Sequence, residues 1–167
     1  MATHRIPILG WATMPDNTGG VYPELMGTNF AANNLSKHQL WVFSNTAAAM
    51  EIYGLFQVPQ NYVGTAKVVL VWGTTATTGA CVWDFDYDAA ADAETLDPAA
   101  ADESVTSTVT VPGTARLAKV TSINLTSANF AVGDTVQYII RREGADAGDT
   151  LAASAYLLGC YFEYSDA

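Results

Sequence analysis

Asp84, Asp86 and Asp88 alternate with Phe85 and Tyr87, and this spacing is the one arrangement in the chain that could do chemistry. In an extended strand, alternate residues project to one side. The three carboxylates would then share a face, with Trp83, Phe85 and Tyr87 turned to the core. Such a row could ligate Ca²⁺, but the EF-hand pattern fails. Ala89 stands where the loop needs Gly, and Thr95 where it needs a bidentate Glu. A glycosidase pair needs a second acid across the scissile bond, and none can be matched from sequence. The reading preferred here is a solvated acidic edge that discourages edge-to-edge pairing, so no metal ligand is assigned. On that reading, changing all three aspartates to Asn leaves the fold intact.

Other reactive residue types are sparse. His4 and His38 have no apparent Ser or Cys partner, and neither is assigned a catalytic role. Cys81 and Cys160 lie inside apolar strand patterns and read as buried free thiols. No nucleophile elbow, phosphate loop, zinc-type spacing or HExxH is present, so no catalytic residue and no cofactor is expected, and the chain reads as a non-enzyme. The aromatics Trp41, Phe43, Tyr53, Phe56, Trp72, Trp83, Phe85, Tyr138, Tyr156 and Phe162 could line a sugar platform. Their places on alternating strands point instead to core and interface.

The elements that must position these groups read as β throughout from Gln39 onward. Short runs rich in Val, Ile, Thr and aromatics are broken by Gly, Pro, Asn and Asp. Strands are predicted at 39–45, 50–58, 66–74, 80–88, 104–112, 116–126, 134–142 and 151–164. Eight antiparallel strands in this length fit an all-β, jelly-roll-like sandwich, assigned to residues 38–167. Residues 1–37 carry no clean period but hold many large apolar groups. They read as an extended N-terminal arm lying on its own sandwich, a sister subunit or another protein. The acidic segment Ala89 to Glu103 reads as a long exposed loop at one end.

Alternation predicts which faces are wet. In 104–112, Val105, Val109 and Val111 oppose Ser104, Thr106, Thr108 and Thr110, giving one core face and one solvent face. In 66–74, Val68, Leu70 and Trp72 oppose Val69 and Val71, apolar on both sides. The last strand places Tyr156, Leu158, Cys160, Phe162 and Tyr164 opposite Ala155, Leu157 and Tyr161. A second apolar face calls for cover by the arm or by another subunit, so assembly is expected.

Composition narrows the partners. The 167 residues carry a net charge of −10, which repels phosphate and anionic headgroups, so neither nucleic acid nor membrane is expected as a partner. Only 14% of residues are charged, while 50% are hydrophobic, so disorder is excluded for most of the chain. The start, Met1 to Gly10, lacks the apolar core of a signal peptide, and no apolar run is long enough to span a bilayer.

Two stretches carry a family resemblance: Val58-Pro59-Gln60-Asn61-Tyr62-Val63 with Ala66 to Trp72, and Ala131 to Thr135 through Tyr138-Ile139-Ile140-Arg141-Arg142 to the final Tyr161-Phe162-Glu163-Tyr164 strand. They resemble the sandwich strands of phage virion proteins, over roughly residues 55 to 164. Within that group the chain looks most like the trimeric capsid decoration (cement) proteins. The resemblance implies a structural protein made in the host cytoplasm and seated on the virion's capsid surface. Its partners would be the major capsid protein and its own copies. The alternative is a glycan-binding or receptor-binding module of a phage tail or fibre.

Overall fold

A computed structural model describes residues 1–9, 14–15, 21–25, 39–45 and 49–166. The described residues form β1 (Thr3–Pro7), β2 (Met14–Pro15), β3 (Val21–Leu25), β4 (Gln39–Phe43), β5 (Ala49–Gln57), β6 (Gly64–Thr74), β7 (Ala80–Ala90), β8 (Glu103–Thr110), β9 (Lys119–Asn124), β10 (Thr135–Glu143) and β11 (Ala155–Ser165), with one 3₁₀ turn at Ser127–Asn129. All eight predicted strands are present as β4 to β11. No helix among the described residues is long and apolar enough to cross a membrane.

The strands form two antiparallel sheets, β4-β11-β6-β9 and β5-β10-β7-β8, with β3 and β2 added at one edge of each. From β4 to β11, successive strands switch sheets except at the β7–β8 hairpin, which is the jelly-roll order. Capsid proteins and lectins share that architecture, so the fold alone does not choose between them.

The expected arm is extended, and where described it lies on its own sandwich. β1 pairs with β11 from Thr3↔Ser165 to Pro7↔Tyr161, β2 pairs with β5, and β3 with β4. Ile8 and Val21 enter the main core, at 6% and 7% exposure. His4 bonds Asp166 at 2.7 Å and stacks on Tyr164, which ties the N-terminal strand to the C-terminal one. His38 lies outside the described residues.

Between the sheets, Trp72, Trp83, Phe43, Phe85, Tyr138 and Phe162 build an aromatic core. Cys81 and Cys160 are free and buried within it, and burial pushes both thiols well above the usual range. Tyr138 lies across Gly54, its register partner on β5, and donates from its hydroxyl to the Ile8 carbonyl at 2.6 Å. A Cβ at Gly54 would stand 2.2 Å from that hydroxyl, and Tyr138 is only 2% exposed, so the ring has nowhere to go. Gly54→Ala is therefore expected to cost about 1–3 kcal/mol, the usual range for overpacking, read as a lowered urea midpoint at unchanged slope.

The alternation read for the last strand needs correction. An irregularity between Leu157 and Gly159 puts an extra residue into β11 and reverses the facing of everything beyond it. The core side is therefore Ala155, Leu157, Cys160, Phe162 and Tyr164. On the outer side, Leu40, Val42 and Tyr156 form a second buried cluster, and Val69 is fully buried. A single chain thus covers part of the apolar outer face from which a second subunit was inferred. Val71, Leu158 and Tyr161 stay partly exposed on β6 and β11, and Val120 is 53% exposed.

Candidate functional site

The outer face of the second sheet carries an ionic cluster around Arg141 beside an open groove. Its strands place three rows across β5, β10 and β7: Glu51–Arg141–Asp84, Tyr53–Ile139–Asp86 and Leu55–Gln137–Asp88. Alternation sets these side chains outward, because Met50, Ile52, Tyr138, Ile140, Phe85 and Tyr87 fill the core between them.

Asp84, Asp86 and Asp88 share one face, as the spacing predicts, but they are not an edge. β7 is an interior strand between β10 and β8. Asp84 is 5% exposed and takes a hydrogen bond from the Thr106 hydroxyl at 3.0 Å. The Arg141 guanidinium reaches four carboxylates: Glu51 at 2.5 Å, Asp84 at 2.7 Å, Asp86 at 2.9 Å and Glu143 at 3.4 Å. Burial, then the neighbouring Asp86 charge, raises the Asp84 carboxyl above its ordinary range despite Thr106 and Arg141. Burial likewise raises Glu143. The reading of a solvated edge fails because sequence order does not reveal which strand sits at the rim.

The acidic loop after β7 does not simply point away into solvent. Gln137 donates its side-chain N–H to the Leu96 carbonyl at 2.7 Å, which draws the loop back over β10. A groove of about 270 Å³ opens between loop and sheet. Tyr53, Ile139, Gln137, Asp86 and Asp88 line its sheet side, and Leu96, Pro98, Ala100 and Ala101 its loop side. Asp86 Oδ1 and Asp88 Oδ2 are buried without a hydrogen-bond partner. Burial, with Asp102 and Glu94 nearby, raises the Asp88 carboxyl above its ordinary range. Asp88, Glu94 and Asp102 line a second cavity behind the loop, but among the described residues no group of three or more His, Cys, Asp or Glu is placed to hold a metal.

Of the ten aromatics considered as a sugar platform, nine are at most 9% exposed and belong to the buried clusters. Tyr53 is the exception at 41%, and its hydroxyl donates to Glu51. Leu55 and Leu96, 57% and 59% exposed, flank the same region. Sequence reading missed Arg141, Gln137 and Leu96 as members of one face. Arg141 and Arg142 look alike in sequence, and only strand parity separates the outward one from the inward one.

No known protein family and no curated protein matches the sequence. Solved structures do match its fold. The K1 cleaved adhesin domain of Lys-gingipain from Porphyromonas gingivalis W83 superposes with a TM-score of 0.54 at 9% identity, covering 99% of each chain. A family 35 carbohydrate-binding module from Clostridium thermocellum gives 0.53 at 12%, covering 98% of this chain and 99% of that one. CBM35 from Paenibacillus barcinonensis gives 0.53 at 11%, covering 99% and 100%. An arabinose-bound α-L-arabinofuranosidase matches at 0.53 and 12%, and there the chain spans 24% of the enzyme's length. These likenesses define the class as a jelly-roll β-sandwich of the kind seen in carbohydrate-binding modules. At such identities they speak for the fold alone.

Proposed function

We propose that the protein is a non-catalytic glycan-binding module that holds a sugar in the groove over the second sheet. The observation that carries this reading is the meeting of an exposed aromatic ring with partnerless polar atoms in one cleft. Tyr53 offers a face for the C–H side of a pyranose, and Asp86 Oδ1 and Asp88 Oδ2 offer acceptors for hydroxyl donors. At about 270 Å³ the groove is at the small end of ligand clefts, suited to one sugar unit or a chain end. The fold likeness to carbohydrate-binding modules supports the same reading.

Catalysis is not part of the proposal. Asp86 and Asp88 project from one strand, roughly 6–7 Å apart along it, and so stand on the same side of any ligand. Hydrolysis of a glycoside needs carboxyls that flank the bond. The capsid-decoration reading draws its physical support from uncovered apolar strand faces, and those are partly covered within one chain. The support for a homotrimer is weakened to the same extent.

Glycan-array screening of the purified protein tests the proposal. Binding to at least one glycan class is expected, with Tyr53→Ala weakening it about tenfold, or 1.4 kcal/mol, at unchanged thermal stability. Silence across neutral, acidic and amino glycans, combined with co-sedimentation on phage particles, would restore the capsid reading.

A further inference from the structure

The charge around the groove narrows what it can hold. Asp86 Oδ1 and Asp88 Oδ2 are buried acceptors with no protein donor, and a carboxylate can only accept. The ligand must therefore bring the donors. Asp88 also feels Asp102 and Glu94 from the overlying loop. The Arg141 guanidinium reaches four carboxylates and contacts Asp86 through its other oxygen, Oδ2. Arg5 and Lys67 are held by Glu163 on the opposite sheet. No cation among the described residues is seen to compensate Asp88.

An acidic glycan entering this groove meets repulsion at close range, strengthened by partial burial. A neutral sugar satisfies the oxygens as acceptors but leaves their charge uncompensated. A protonated amine does both, since an ammonium is a donor and a charge, and charge-assisted hydrogen bonds are roughly twice as strong as neutral ones.

Resting on the glycan-binding reading above, we infer that the groove selects glycans carrying an unsubstituted, protonated amino sugar, held by Asp88 and Asp86. Selectivity then resides in Asp88, while Tyr53 supplies stacking common to any sugar. The chain's net charge of −10 steers cationic oligosaccharides in general, so local recognition must be separated from overall attraction.

Titration calorimetry with three matched ligands makes that separation: the β-1,4-linked glucosamine disaccharide, its N-acetylated form and the equivalent glucose disaccharide. The full chain is expected to bind the free-amine form about tenfold more tightly than either neutral form. Asp88→Asn should erase most of that advantage, while Tyr53→Ala should weaken all three alike. Asp97→Asn is the control, because Asp97 is exposed, does not line the groove, and its loss changes net charge equally. It should leave all three affinities within about twofold.

Equal affinity for the amine and neutral disaccharides, with Tyr53→Ala still damaging, overturns the amine preference and leaves the glycan-binding reading standing. An amine preference lost equally in Asp97→Asn and Asp88→Asn also overturns it, since bulk charge would then be the cause. No binding of any of the three, with array silence as well, removes both readings together.

Discussion

Replacing Arg142 by Met is expected to destabilise the protein by about 3–5 kcal/mol, a large share of the roughly 5–15 kcal/mol that holds a domain folded. Arg142 is fully buried, and its guanidinium makes a fork to Asp149 at 2.9 and 2.8 Å. It also donates to the carbonyls of Leu151 at 2.7 Å, Ala153 at 2.9 Å, and Phe43 and Ser44 at 3.3 Å. One side chain thus ties the end of β10 to the end of β4 and to the connection into β11. Asp149 is 2% exposed in its side chain, so removing the arginine strands a charge with no access to water. A double change, Arg142→Met with Asp149→Leu, removes the stranded charge but still leaves the carbonyls unpaired. It should recover part of the loss, not all of it. Denaturant titration of the two single variants and the double measures the coupling. A loss under 1 kcal/mol in Arg142→Met would show that water replaces the guanidinium.

The same pair sets an acid limit on stability. Burial acts to raise the Asp149 carboxyl, but the Arg142 hydrogen bonds, the Val82 N–H and the Arg142 charge prevail and hold it below the usual range. A carboxyl depressed in the fold binds its proton later than in the unfolded chain. Its contribution is present above the unfolded pKa, near 4, and is lost as pH falls through the lower folded value.

Much of this fold is legible in sequence because burial writes a period of two into strands that are wet on one side. β8 is the clear case, with Val105 and Val109 against Ser104, Thr106 and Thr108. The aspartate row was legible as a face for the same reason. Its neighbours were not, because register joins Asp84 to a residue 57 positions away, and no local pattern encodes that pairing. β11 misleads for a different reason. An extra residue at Leu158–Gly159 shifts parity, and Gly159 within the apolar run is its one local mark. A strand buried on both faces has no alternation from which to detect such a shift. The groove is the least legible part, since it exists only when the loop after β7 folds back onto Gln137.

Arg141→Met is expected to cost about 2–4 kcal/mol at neutral pH and less as pH falls through the raised folded values of Asp84 and Glu143. The Arg141 side chain is 17% exposed, and its guanidinium is the cation at the centre of Glu51, Asp84, Asp86 and Glu143. Removing it leaves four carboxylates repelling one another across adjacent strands, with Asp84 almost out of water. Partial exposure of the others, up to 27% for the Glu143 side chain, lets solvent screen part of the repulsion and keeps the cost below that of Arg142. The pH dependence follows from direction. Burial already raises Asp84 and Glu143 in the presence of Arg141, so the folded protein takes up these protons before the unfolded chain does. Stability from these groups therefore grows as pH falls through their raised folded values, and loss of the cation raises those values further. The triple change of Asp84, Asp86 and Asp88 to Asn, neutral for a solvated edge, should instead cost stability here, because it strips Arg141 of two partners. Combined with Arg141→Met it should be less damaging than either change predicts alone. Thermal melts of the single, triple and combined variants at pH 7 and pH 5 check the signs. A variant lacking Arg141 that melts at the wild-type temperature at pH 7 would show that the four carboxylates are solvated well enough to need no cation between them.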